Sequence, residues 1–200
     1  FVSDILNIIM LFLIVISALG IIFAPFLIHL ITPGFSPEDQ KATSDLTRVM
    51  FLSPLFLGIS GVIGGVLQSF KRFFIYSLSP IFYNIGIIIG ALYLVDIFGI
   101  YGLAVGVVLG AFMHMIIQLP SLFALGFKYS FSLDLKSRYV QKIGVMMIPR
   151  TLSLAVSQAN LLIITVIATT LLSGSLAIMN FANNLQAFAI GIFGISFAVA

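Results

Sequence analysis

The residues with chemistry to offer are few, and apolar neighbours surround them. In "MMIPRTLSLAVSQANLL" (146–162), Arg150, Ser153, Ser157 and Asn160 follow one another at helical spacing. At 100° per residue they fall within roughly 80° of each other, so a helix presents them on one face. Gln158 lies off that face, and Ile164 lies on it. A second set, Asn180, Asn183 and Asn184, continues as Ala187, Gly191, Gly194 and Ala198 along a stripe of about 100°. Guanidinium, hydroxyl and carboxamide groups in stripes suit the wall of a water-filled cavity, where intramembrane polar groups mark a substrate or ion path. They also suit hydrogen bonds to neighbouring helices, with Arg150 reaching to the surface. Two successive stripes favour the cavity.

Catalysis is poorly served. The chain has no cysteine, which excludes disulfides, thiolate metal sites and thiol nucleophiles together. Its two histidines stand far apart. His29 sits near the end of an apolar run, within reach of interfacial water. His114, in "GAFMHMIIQLP", has no second His, Asp or Glu at ligand spacing. A neutral imidazole bonded to a neighbouring helix is the simpler reading. "GISGVIGG" invites a phosphate-loop reading, but no strand precedes it and no Lys-Ser/Thr follows. No metal site, cofactor or catalytic site is expected, and an intramembrane enzyme fits badly for want of an acid pair or metal cluster.

The elements that must position these residues follow from composition. The chain of 200 residues is 61% hydrophobic and 8% charged, far from the roughly 25% charged residues of a soluble domain. Apolar runs of about 20 residues recur, the length that crosses a bilayer as helix. The ~10-residue alternating segments of a membrane β-barrel are absent. The expected class is an all-α polytopic membrane protein with about six transmembrane helices. Punctuation places the spans near Ile5–Ile31, Leu46–Phe70, Phe73–Val95, Ile100–Leu125 and Ile143–Leu172, with a sixth starting near Leu176. "TPGFSPEDQKATSD" (32–45) reads as a polar loop. The opening run lacks the basic start and cleavage pattern of a signal peptide. The run ending in "FGISFAVA" stops inside an apolar segment, so the sequence reads as part of a longer protein.

Charge assigns the sides. Lys and Arg gather on cytoplasmic ends. With the first span running outward, Lys71, Arg72, Lys128, Lys136, Arg138, Lys142 and Arg150 are cytoplasmic, against Lys41 and Arg48 outside. The net charge of +3, with no basic run interleaved with aromatics, gives no reason to expect a nucleic-acid partner. The basic segment 126–142 is the best domain boundary. It reads either as an interfacial helix or as an ordered loop, between four closely connected spans (1–125) and the last two (143–200). Gly102, Gly106 and Gly110, Gly61 with Gly65, Ser60 with Gly64, and Gly86 with Gly90 stand at the spacing that lets helix backbones approach in lipid.

Several separated stretches resemble one family, the MurJ/MviN lipid II flippases of the multidrug/oligosaccharidyl-lipid/polysaccharide exporter superfamily. "APFLIHLITPGF" is similar to the end of the family's third helix. The segment "RVMFLSPLFLGISGVIGGVLQSFKRFFIYSLSPIFYNIGIIIGAL" resembles its fourth and fifth helices, and "YGLAVGVVLGAFMHMIIQLP" its sixth. "IPRTLSLAVSQANLLI" and "GSLAIMNFANNLQAFAIGIFG" resemble the seventh and eighth. The resemblance implies a two-lobe, fourteen-helix flippase fold in the bacterial cytoplasmic membrane. Such a protein moves the lipid-linked peptidoglycan precursor from the inner to the outer leaflet among membrane lipids. This chain would complete the N-lobe, supply the linker 126–142 and begin the C-lobe. In the family, an Arg of the cationic cavity usually stands where this chain has Asn184, and an Asp associated with a sodium site where it has Ile164. Ala187 and Ala189 replace a polar residue and a Pro. Pyrophosphate in a low-dielectric cavity calls for cations, and Arg150 is the cation on a cavity-facing stripe, placed as a cytoplasmic-gate residue. The alternatives are an exporter of another polyprenyl-linked glycan and a transport-inactive scaffold for cell-wall synthesis proteins.

Overall fold

The computed structural model describes residues 2–133, 137–172 and 174–190. All regular structure among them is helical. Lys136 of the basic linker and Gly191, Gly194 and Ala198 of the second stripe lie outside the described residues. Five stretches are long and apolar enough to cross a membrane: Val2–Ile31, Pro37–Ser69, Phe73–Phe98, Tyr101–Ala124 and Val140–Thr169. The expected sixth span is described as far as Ala189.

Helix α1 (Val2–Ile31) buries Ser17, Gly20, Ala24 and Ile28, spaced three to four apart on one face. The face is made of small residues because α2 and α3 come close. A Cβ on Gly20 would stand 2.3 Å from the Phe51 ring. Helix α2 (Pro37–Met50) begins inside the segment expected to be a polar loop. Ser36 explains the difference. Its Oγ accepts the Asp39 backbone N–H at 3.1 Å and donates to Asp39 Oδ2 at 2.6 Å. Pro37 occupies the first turn, which loses nothing by lacking an N–H, and Glu38 and Asp39 face the positive end of the helix dipole. Pro54 then interrupts the helix between Met50 and Ser53, where α3 (Ser53–Ser69) starts.

Helix α4 (Phe73–Ile89) runs through a π-helical segment at Gly90–Leu94 into a short α5 (Val95–Phe98). Gly99, at φ 58°, turns the chain into α6 (Tyr101–Ile116), and α7 (Leu119–Ala124) completes that span. Packing of α6 on α4 is backbone against backbone. A Cβ on Gly86 would lie 2.3 Å from the Gly110 Cα, one on Gly90 2.5 Å from the Gly106 Cα, and one on Gly102 2.3 Å from the Leu94 carbonyl carbon. Glycine spacing in α6 thus does what it promised. At Gly61 and Gly65 a built Cβ meets nothing within 4 Å among the described residues. The apolar core of this helix set is Leu6, Ile63, Leu67 and Leu122, at one end of the bundle.

Residues 127–133 carry no helix, and α8 starts at Arg138, inside the expected linker, running to Thr169. For the described residues 127–133, the ordered-loop reading holds over the interfacial helix. Helix α9 (Ser175–Ala189) returns after a turn at Gly174, φ 91°.

Candidate functional site

Helix α8 carries the first polar stripe. Pro149 lies inside it and removes the N–H that would serve the Val145 carbonyl. Arg150, Ser153, Ser157 and Asn160 follow, all exposed. Ser157 Oγ donates back to the Ser153 carbonyl of its own helix at 3.4 Å, so this hydroxyl does not bridge to a neighbour. From Arg150 to Thr169 the helix rises roughly 28 Å, close to the ~30 Å hydrocarbon thickness. A guanidinium that far from the last turn belongs at one membrane edge, with the hydroxyls and Asn160 in the interior.

Asn180, Asn183 and Asn184 on α9 are also exposed. Asn184 and Asn160 each stand nine residues from the turn joining the two helices, roughly 13 Å down their axes. Carboxamides of α8 and α9 thus stand at similar distances from the turn along their own helices, and Arg150 stands ten residues farther along α8. Asn180 is nearer the turn and lines a cavity of about 640 Å³ with Ser36, Asp39, Thr43 and Thr169. At the other end of α8, Arg138, Gln141 and Lys142 line a second cavity of about 640 Å³ with Val145 and Met146. Their i, i+3, i+4 spacing was the available signal.

Both histidines are accounted for structurally. His114 Nδ1 lies 2.6 Å from Ser60 Oγ, and Gln118 Nε2 donates to the same oxygen at 2.6 Å and to the His114 carbonyl at 3.2 Å. Ser60 and Gln118 are fully buried. Ser60 Oγ also lies 3.3 Å from the His114 carbonyl as a donor, so imidazole, hydroxyl and carboxamide form one buried hydrogen-bonded cluster. His29 Nδ1 lies 3.1 Å from Gln40 Oε1, while Gln40 Nε2 donates to the Thr32 carbonyl at 2.8 Å. No cluster of three His, Cys, Asp or Glu stands at metal-binding distance among the described residues.

One buried polar residue escaped notice in the sequence. Asn7, 3% exposed, donates from Nδ2 to the carbonyls of Ser130 at 3.1 Å and Ser132 at 2.9 Å. It accepts the Tyr129 hydroxyl at 2.5 Å. Ser3 Oγ adds a bond from the Ser130 backbone N–H at 3.2 Å. The segment leading to α8 is thus clasped to the first helix. A single Asn near the start of an apolar run carries no periodic signal, because its partners are more than 120 residues away.

The family model described as lipid II flippase MurJ matches residues 1–200. The chain belongs to the MurJ family. It is 34% identical over 182 residues to the probable lipid II flippase MurJ of Buchnera aphidicola subsp. Schizaphis graminum, covering 89% of this chain and 35% of that protein. The corresponding protein of Buchnera aphidicola subsp. Acyrthosiphon pisum is 32% identical, over 98% of this chain and 39% of its own length. Lipid II flippase MurJ of Burkholderia cenocepacia is 26% identical, over 91% and 37%. The chain spans little more than a third of the MurJ relatives it matches. Membership extends over both helix sets and the clasped segment between them, since the family match runs unbroken through residues 126–142.

Proposed function

We propose that this protein moves lipid II, the lipid-linked peptidoglycan precursor, from the inner to the outer leaflet of the bacterial cytoplasmic membrane by alternating access. Residues 1–125 then belong to the N-lobe, 126–142 form the inter-lobe linker, and 143–200 begin the C-lobe. The substrate comes from the named function of the MurJ relatives. The observation that carries the mechanism is the polar stripe of Arg150, Ser153, Ser157 and Asn160 along one face of α8, within a family match that runs through residues 1–200. A polar path between two sets of helices is what alternating access needs.

In this reading Arg150 meets the pyrophosphate as the headgroup enters from the cytoplasm. Its fixed charge and planar fork suit a phosphate oxygen pair. Ser153, Ser157, Asn160, Asn180, Asn183 and Asn184 offer hydroxyl and amide contacts along the path. These groups bind and release; the serine hydroxyls have no histidine or carboxylate beside them on either stripe to activate them, which favours transport over intramembrane catalysis. Ile164 and Asn184 leave no carboxylate or guanidinium at those positions of the stripes. The test is depletion of the full-length protein in cells. Lipid II is expected to accumulate in the inner leaflet, with lysis or loss of shape. Normal lipid II turnover with failed localisation of wall-synthesis enzymes would replace transport by a scaffold role.

A further inference from the structure

Among the described residues, helix α8 is buried against the first helix set at its last turn, and Gly34 sits in that contact. Ala168 and Thr169 are 6% and 5% exposed. The turn that follows α1 covers them. A Cβ on Gly34 would stand 1.9 Å from the Thr169 carbonyl oxygen, 2.5 Å from its carbonyl carbon and 2.8 Å from the Thr170 Cα. These obstacles are backbone, so no rotamer change relieves them.

Neither side of the contact is free to give. On one side Thr32 is pinned to α1 by its N–H and its hydroxyl, both donating to the Ile28 carbonyl at 2.8 Å. Its own carbonyl accepts the Phe35 N–H at 3.1 Å and Gln40 Nε2 at 2.8 Å. On the other side, Thr169 Oγ1 donates to the Val166 carbonyl at 2.7 Å, and Thr170 Oγ1 to that of Ile167 at 2.8 Å. Immediately beside it the two helices part: Leu30 and Ile31 face Leu162, Ile163, Val166 and Ile167 across an apolar cleft of about 270 Å³. The contact is therefore local, with a cleft rather than packed side chains beside it.

We infer that Gly34 is a positioning residue for the outer closure between the two lobes, its bare Cα seating the turn against the last turn of α8. The inference rests on the alternating-access reading and adds to it the residue that holds the outer side shut. A methyl group at Gly34 weakens this closure and shifts the protein toward the state open outward.

The experiment uses the full-length protein in intact cells with a reporter cysteine replacing Ser157, labelled by a membrane-impermeant maleimide from outside. Gly34→Ala is expected to raise outside labelling ~10-fold, the population change that ~1.4 kcal/mol of misfit produces. Gly61→Ala, with open space at its Cβ, is expected to leave labelling unchanged. Unchanged labelling in Gly34→Ala overturns the inference. If Gly34→Ala does not reach the membrane, the pair Phe35→Cys and Leu171→Cys decides, both residues lining the same outer cavity. Joining them with a short bifunctional reagent before labelling should abolish outside reaction of the reporter and leave inside reaction intact. Outside labelling that survives the cross-link also overturns it. A positive result in a strain whose lipid II turnover ignores depletion would keep the closure and discard the substrate.

Discussion

Arg48 donates its Nε–H across 3.2 Å to the carbonyl oxygen of Ile21, the carbonyl that Pro25 leaves without a helical donor. Pro25 sits four residues on, has no N–H, and lies inside α1. An unpaired carbonyl in a membrane helix is costly, because lipid offers no replacement donor. Arg48 reaches it from α2 while Asp45 holds the guanidinium through Nη1 at 3.1 Å. Arg48→Ala is expected to cost about 1 kcal/mol, a charged hydrogen bond discounted for partial exposure. In a Pro25→Ala background the Ile21 carbonyl regains its own N–H partner, and the same change should cost nearly nothing. Thermal unfolding of the four proteins of this cycle in detergent measures the coupling; equal losses in both backgrounds would show that Arg48 acts elsewhere.

The α4–α6 contact gives a sharper packing test. Gly110→Val pushes a branched side chain into the Tyr83 carbonyl oxygen, 2.4 Å from a built Cβ, and overpacking of this kind costs about 1–3 kcal/mol or more. Gly61→Val, at the same spacing motif but facing open space, should be tolerated within the bundle. Folded yield and unfolding temperature report both. Equal sensitivity at the two sites would mean that Gly61 packs as tightly as Gly110 does.

Releasing the linker requires only one side chain. Asn7→Leu removes two donated bonds and one accepted bond, leaving residues 129–132 to be satisfied by water. Limited proteolysis of inside-out vesicles should then cut within 127–133 several times faster, while α1 stays in the membrane. Asn7→Asp keeps the acceptor for Tyr129 but loses the donors, so it should fall between. Unchanged protection in Asn7→Leu would show that the segment is held by packing alone.

What could be read in advance, and what could not, divides by range. Helical class and span positions came from local hydropathy, and the Gly102, Gly106, Gly110 ladder came from spacing on one helix. The α2 start was legible too: Ser36-Pro37-Glu38-Asp39 is a capping pattern, and its polarity led instead to a loop. Asn7 with the linker, Arg48 with Ile21 and Gly34 with Thr169 were not legible. Each joins residues on different elements, and no periodicity within one element encodes its partner. The stripes follow from helical spacing, and depth along the axis separates Arg150 from Asn180, Asn183 and Asn184. Angular position alone does not carry that distance.

Sidedness rests on charge and has a direct test. Cysteines replacing Ser36 and Ser137 are expected to react from opposite sides of the membrane, Ser36 from outside. The structure places Ser36 beside the α8–α9 turn through a shared cavity lining, and Ser137 at the start of α8. Those two positions are separated by the full length of that helix, so same-side labelling would break the span topology, and reversed labelling would break the charge assignment.

Arg150 is the residue on which the substrate reading depends most. Its charge stands at the membrane edge of an otherwise neutral stripe, where a doubly charged pyrophosphate must shed water to enter. Arg150→Ala is expected to reduce rescue of a depleted strain strongly, on the order of tenfold for ~1.4 kcal/mol of lost headgroup interaction. Arg150→Lys should retain part of it, since the charge survives and the bidentate fork does not. The level of protein in the membrane must stay equal across the series, which separates transport from folding. Asn184→Arg gives the converse test. Its stripe neighbours Asn180 and Ala187 are small, so an added guanidinium should be tolerated without loss of rescue. If Arg150→Ala rescues as well as the parent protein, the anion is engaged by residues other than the α8 stripe.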